Sequence, residues 1–511
     1  MTTRARREAR RRAATVAAVE SLSPARAGRH NLIAVSDLHL GSDLRDGVDV
    51  AALREKRGFD VELAAMLDHY RESRRGGLPW KLVLNGDVFD LVAVTLRPAP
   101  GEQLAFTLTK EDLSYGLGAE EAKTIWKLRR ILERHELLVR ALARFIDAGN
   151  ALVVVRGNHD AELAFAGAQT ALKEGLADRA HPLPGEGRDA FLARIAIHRW
   201  FYLEPGGIWF EHGHVYDEWS TTEDLPWSDG RGGLKLAISS QVIRYFSNVV
   251  EGGAELVDGT DGWGVVDYLR FGLRVGNPLA VVGLYLAMLW RLLKGPLAQS
   301  LLLSRRAVAT AGARLFERVD PGAAHFQLLR AHLARLLGKE ADHQALELLR
   351  LLKSPAGRRL PDVLRLFYLD QLGLLGIVGL AAVVAGHEGR TLGARVFDWG
   401  AIGLGFVTTS LALASMRRTA SHPKLRDAAR RVAEVMRVRT VVMGHSHHAV
   451  DEPLPSGARY VNLGSWTNQL AATDAEGFPH LLVVRGEARL CRWGASQPAV
   501  EAEGAAELLT A

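Results

Sequence analysis

The sequence predicts a layered α/β fold interrupted by a long helical insert. Three observations carry that reading. Short aliphatic runs alternate with longer stretches at helical spacing, the pattern of buried strands and helices sharing one core. Each run ends in a polar cluster, and several of these clusters carry Asp, Asn or His. Between His214 and Gly444 the pattern changes to Arg- and Leu-rich stretches separated by apolar blocks.

In chain order, residues 1–28 form a basic arm, MTTRARREARRR at its start, without an apolar stretch of signal-peptide length. This arm is expected to be a disordered tail or a polybasic contact to anionic lipid. Residues 29–225 form the first part of the core. Leu32–Ser36 (LIAVS), Lys81–Asn85 (KLVLN), Ala151–Arg156 (ALVVVR) and Ile208–Glu211 (IWFE) read as strands. Ala51–Arg71 and Glu120–Ala148 read as helices; in the second, Trp126, Leu128, Ile131, Leu132, Leu137 and Leu138 recur near helical spacing. Residues 436–497 complete the core through Thr440–Met443, Tyr460–Leu463 and His480–Val484, and an Ala/Glu-rich tail, 498–511, follows.

The insert, residues 226–435, holds helical stretches such as His325–Lys353 and three apolar segments, Pro278–Trp290, Leu372–Ala385 and Trp399–Met416. A membrane-spanning helix needs about 20 apolar residues. Only Trp399–Met416 reaches that range alone; Leu372–Ala385 does so with Leu366–Gln371 added. Polar clusters on both sides of the insert must meet in one site, so crossings come in even number. The second and third segments therefore read as a hairpin, with Pro278–Trp290 as an interfacial helix. Arg358, Arg359, Arg365, Arg417 and Arg418 on the outer flanks place the core domain in the cytoplasm, at the inner membrane. The competing expectation is three buried helices of a soluble domain.

With 48% apolar and 24% charged residues, whole-chain disorder is excluded. The net charge of +6 favours anionic partners such as phosphate groups or an acidic membrane surface. No interleaved aromatic and basic stripe suited to single-stranded nucleic acid is present, so no nucleic-acid partner is expected. Cys491 is the sole cysteine, which rules out an intrachain disulfide and a cysteine metal cluster.

Five strand-end clusters carry the chemistry. Asp37-Leu38-His39 pairs a carboxylate with an imidazole, a donor set suited to a divalent transition metal, and the i, i+2 spacing is expected to point both side chains alike. In Gly86-Asp87-Val88-Phe89-Asp90, Asp87 can bridge two cations, while Asp90 can accept a hydrogen bond from a metal-bound imidazole. Gly157-Asn158-His159-Asp160 offers a carbonyl ligand in Asn158 and a substrate-facing imidazole in His159, with Asp160 to hold its tautomer. Glu211-His212-Gly213-His214 and Gly444-His445-Ser446-His447-His448 add further imidazoles.

In that order, D-x-H, G-D-x-x-D, G-N-H-D, H-G-H and G-H-S-H resemble the calcineurin-like metallophosphoesterase superfamily, over roughly 31–219 and 436–493. The resemblance implies a two-layer β-sandwich flanked by helices, with two divalent metals at one edge. Manganese is the expected metal, with iron, zinc and nickel as the others. It implies Asp37, His39 and His447 on one metal, Asn158, His212 and His445 on the other, and Asp87 between them, with His214 the alternative to His212. SDLHLGS, NGDVFD, EHGH…D and YVNLGSW look like the UDP-2,3-diacylglucosamine hydrolase branch, which cleaves a pyrophosphate in a lipid precursor at the membrane. His159 departs from that branch, which usually has arginine there, and so does the length of the insert. The expected reaction is in-line attack of a metal-bridging hydroxide on phosphorus, with His159 and Asp160 as the catalytic pair. The expected substrate is a phosphorylated lipid. A soluble nucleotide or nucleic-acid phosphodiesterase and a non-catalytic scaffold are the alternatives.

Overall fold

The computed structural model describes residues 30–46, 59–181, 186–222, 234–250, 278–307, 327, 329–331, 333–334, 341–353, 355, 363–364, 369–385, 399–409, 421–467 and 477–494. The basic arm and the tail lie outside the described residues. The chain divides into two compact units, one of residues 1–259, 318–353 and 422–511, the other of 260–317 and 354–421.

The first unit is a mixed α/β structure with two sheets flanked by helices. Its strands are β1 (Asn31–Val35), β2 (Trp80–Asn85), β3 (Ala151–Val155), β4 (Ile195–His198), β5 (Phe201–Glu204), β6 (Ile208–Glu211), β7 (Thr440–Met443), β8 (Ala449–Pro453), β9 (Arg459–Leu463), β10 (Phe478–Val484) and β11 (Glu487–Trp493). One sheet runs β11-β10-β1-β2-β3-β4 and the other β5-β6-β7-β9-β8. In the first, β1, β2, β3 and β4 are parallel, with Ile33 opposite Leu82 and Leu82 opposite Leu152. In the second, β6, β7 and β9 are parallel, with Trp209 opposite Val441 and Val441 opposite Tyr460.

Strand alternation distributes the apolar residues between layers. Leu32, Ala34, Val83, Val153 and Val155 cluster with Ile208, Phe210, Val442 and Val461 of the other sheet. The intervening residues Ile33, Val35, Leu82, Leu84, Leu152 and Val154 join the opposite cluster, which includes α1 (Phe59–Glu72), α2 (Glu121–Arg134), α3 (Glu136–Asp147) and α4 (Ala166–Ala177). On the far side of the second sheet, Trp209, Val441, Met443 and Tyr460 pack with Leu425, Val432 and Met436, and with Leu329, Leu333, Ala345 and Leu348.

Two expectations need correction. The single helix Glu120–Ala148 is two helices, α2 and α3, meeting at His135, whose ring accepts the Gly41 N–H (3.1 Å) and lies 2.7 Å from Asp60. A buried imidazole tied to the first motif's loop breaks the helix there. The insert does not form one separate body over 226–435. Two of its helices, Ala341–Leu351 (α6) and Ser421–Met436 (α8), have an apolar face that the second sheet covers.

The second unit holds α5 (Pro278–Ala307), α7 (Leu369–Ala385) and a helix over 399–409. Among the described residues no helix is long and apolar enough to cross a membrane, so the two-span hairpin finds no support. The described part of the apolar helix α7 is 17 residues long, against the roughly 20 a span needs. Residues 410–416 of the third segment lie outside the described residues. Leu375, Ile377, Leu380 and Val383 of α7, with Trp399, Leu404 and Val407, are each at least half exposed.

Candidate metal centre

The five clusters converge at the carboxyl ends of β1, β2, β3, β6 and β7, the edge where α/β sheets collect ligands. Asp37 and His39 lie beyond the end of β1, so strand alternation does not aim them. Left-handed backbone does. Among the described residues seven non-glycine residues have positive φ, and five of these are Asp37 (54°), His39 (47°), Asp87 (49°), His445 (68°) and His447 (57°). Such a conformation costs about 1–3 kcal/mol each and persists only where the surroundings enforce it. Here the loops enforce it through one another. The N–H of Asp37 bonds to Gly86 O, that of His39 to Asp87 O, and that of Gly444 to His212 O. Close approach also requires glycine. Gly86 has φ 91°, and a Cβ there would enter the His212 ring; a Cβ on Gly157 would enter the Asp87 carboxylate.

In each of three groups the donor atoms lie within 4.8 Å of one another: Asp37, His39 and His447; His39, Asp87 and His159; and Asp87, His212 and His445. His39 Nε2 and His447 Nε2 face each other at 3.4 Å, and His447 Nε2 is 3.2 Å from Asp37 Oδ1. His212 Nε2 lies 3.1 Å from Asp87 Oδ2 and 3.2 Å from Asn158 Oδ1. His212 Nδ1 is 3.2 Å from the Asn85 carbonyl. A carbonyl only accepts, so Nδ1 carries a proton, and Nε2 is the ring atom turned towards Asp87 and Asn158.

The electrostatics fit a cation as well. Asp37 and Asp87 are fully buried, and although burial opposes their ionisation, the neighbouring imidazoles hold both below the usual carboxylate range. Burial also opposes a charge on His212, yet Asp87 and Asp37 raise its pKa to about 9. A buried pair of carboxylates thus demands positive charge. These buried His/Asp clusters have the donor types, spacing and charge to hold a metal ion.

The remaining expected residues are placed as follows. His159 borders the centre, its side chain 16% exposed and its Nδ1 3.0 Å from Asp90 Oδ1. Asp90 Oδ2 is also 3.4 Å from His39 Nδ1, so one carboxylate faces both rings. The two imidazoles hold Asp90 well below its ordinary value against the effect of burial. Asp160, expected to orient the His159 ring, does something else. Its carboxylate accepts the N–H groups of Gly157 (2.6 Å) and Val88 (2.8 Å), stitching the third motif's loop to the second's. The side chain of residue 160 turns back to its own loop, and Asp90 is the carboxylate left beside His159. His214 is buried 5.5 Å, ring to ring, from His212 and belongs to none of the three donor groups.

Two residues to which the motifs gave no role stand beside the centre. Asp217 Oδ2 is 3.3 Å from His445 Nε2, and its Oδ1 accepts a bond from Lys424 Nζ at 2.8 Å. Glu211 accepts bonds from Trp200 Nε1 (3.0 Å) and the Tyr216 hydroxyl (2.9 Å), and burial pushes its carboxyl up to about 7. Asp217 lies only five residues beyond His212, but its partner Lys424 is more than 200 positions away, so spacing carried no signal for the pair. No protein-family model matches the chain, and no curated protein matches it.

Proposed function

We propose that the chain is a dimetal phosphoester hydrolase of the calcineurin-like kind, acting on a phospholipid-like or pyrophosphate-lipid substrate at a membrane surface. The observation that carries this reading is the meeting of Asp37, His39, Asp87, Asn158, His212, His445 and His447, from five separate loops, around a buried anionic point. Asp37, His39 and His447 would hold one cation, and Asn158, His212 and His445 the other. Asp87, common to two of the donor groups, would lie between them. The mixed nitrogen and oxygen donors suit manganese, with iron, zinc or nickel as the other candidates. When bound, such cations supply Lewis acidity towards phosphoryl oxygens and lower the pKa of water.

The chain's own residues do the rest. The Asp90 carboxylate, 3.0 Å from His159 Nδ1, would favour a proton on that nitrogen and leave Nε2 for the substrate. In the protonated ring, Nε2–H donates to the leaving oxygen or to a phosphoryl oxygen gaining charge. A carboxylate shared with His39 couples the position of this acid to that of a ligand.

The lipid part of the proposal rests on the second unit. Helix α7 exposes Leu375, Ile377, Leu380 and Val383 to water, an arrangement that aqueous surfaces rarely keep and membrane interfaces use. The test is a screen of phosphorylated lipids and nucleotides with full-length protein, Mn²⁺ and detergent, using Asp87→Ala as the blank. Turnover confined to nucleotides would remove the lipid assignment. No Mn²⁺-dependent turnover of any phosphoester would remove the reaction class.

A further inference from the structure

The segment between His214 and Thr221 is bonded by three later stretches of the first unit. The Trp219 carbonyl accepts the N–H of Ser239 (3.1 Å), and the Val215 carbonyl that of Lys353 (3.1 Å). Lys424 Nζ then donates to Asp217 Oδ1 and Glu218 Oε2, both at 2.8 Å. Asp217 faces inward as well, with Oδ2 3.3 Å from His445 Nε2. All three side chains, Asp217, Lys424 and His445, are about nine-tenths buried.

We propose that Asp217 is a positioning residue for the metal centre, and that Lys424 holds it there. The inference rests on the dimetal reading above. A carboxylate only accepts, so the His445 nitrogen it faces, Nε2, carries the proton. Nδ1 is then the ring atom left for a cation shared with Asp87 and His212. A ligand imidazole backed by a carboxylate is both oriented and made more basic. Lys424 alone needs no such geometry, because Glu218 already offers it a partner. Its second bond, to Asp217, stops that carboxylate from swinging away from His445. Because Lys424 lies three residues into α8, the last of these stretches, ligand geometry depends on that contact being made.

The test is calorimetric titration of metal-free, full-length protein with Mn²⁺ alone. Wild type should show two binding steps. In Asp217→Asn one step should weaken by about 10–100-fold, the range for lost support of a ligand, while the other is unchanged. Lys424→Met should weaken the same step less, and Lys424→Arg should restore it. If wild type binds two ions and both variants bind two with unchanged affinity, the inference is wrong. If wild type binds none, the dimetal reading itself has failed. Should Asp217→Asn not fold, Lys424→Met and Lys424→Arg decide the matter: equal affinities in the two would overturn the proposal.

Discussion

Gly157→Ala isolates the architecture of the centre without removing a ligand. An added Cβ would lie 2.8 Å from Asp87 Cγ, and nearer still to Asp87 Oδ1 and its backbone nitrogen. Ordinary carbon contacts lie at about 3.5–4.0 Å, so the overlap exceeds half an ångström at every atom. Asp87 cannot swing aside freely, because Oδ1 accepts the His159 N–H at 2.8 Å and Oδ2 faces His212 Nε2 at 3.1 Å. Relief must come from parting the two loops. Overpacking of this kind costs about 1–3 kcal/mol. Losing the charged His159 N–H bond adds about 1.5–3 kcal/mol. Urea unfolding of metal-free protein should therefore show a loss of about 2.5–6 kcal/mol. On the dimetal proposal, Mn²⁺ at a hundredfold excess over its dissociation constant should stabilise wild type by about 2.7 kcal/mol, and that gain should vanish in the variant. A variant that folds and gains as much from Mn²⁺ as wild type would show that Asp87 is not held against Gly157, and would refute the packing argument.

Other outcomes follow from the same contacts. His159→Asn should lower kcat by about 10²–10⁴-fold while metal content stays at the wild-type level; loss of metal would make His159 a ligand. Asp112 tests pH dependence away from the centre. Burial opposes its charge, but Lys123, Thr109 and the Gly118 N–H hold its pKa at about 2. A depressed carboxyl stabilises fully above its unfolded value near 3.8 and loses that contribution as pH falls towards 2. The shift is worth about 2 kcal/mol, so the wild-type advantage over Asp112→Asn should shrink between pH 4 and pH 2, read by urea melts in EDTA. Ile377→Glu with Leu380→Glu should reduce flotation with anionic vesicles by about 100-fold or more, from roughly 1.5–3 kcal/mol per buried side chain. Unchanged flotation would remove α7 from the membrane contact.

The central strands were legible because their signals are local. β1, β2, β3, β6, β7, β9 and β10 are aliphatic runs, buried on both faces, and the predicted spans fall within about two residues of the observed ones. The four strands absent from the sequence reading, β4, β5, β8 and β11, are the edges of the two sheets. An edge strand has one neighbour and partial exposure, so Ala449–Pro453 (AVDEP) and Glu487–Trp493 (EARLCRW) carry charges and no continuous apolar run.

For the site, the sequence by itself determined the donors, since Asp, Asn and His in short clusters name their own chemistry. It also determined that those clusters end strands, because a buried run must stop where polar residues begin. The tertiary structure decided how the donors meet and which carboxylate serves which ring. Asp90 rather than Asp160 stands beside His159, and Asp217, which the motifs gave no role, stands behind His445. Those choices depend on left-handed turns at five donors and on contacts between loops as many as 408 positions apart. A local pattern records which groups are available; only the packed chain brings a particular pair into contact.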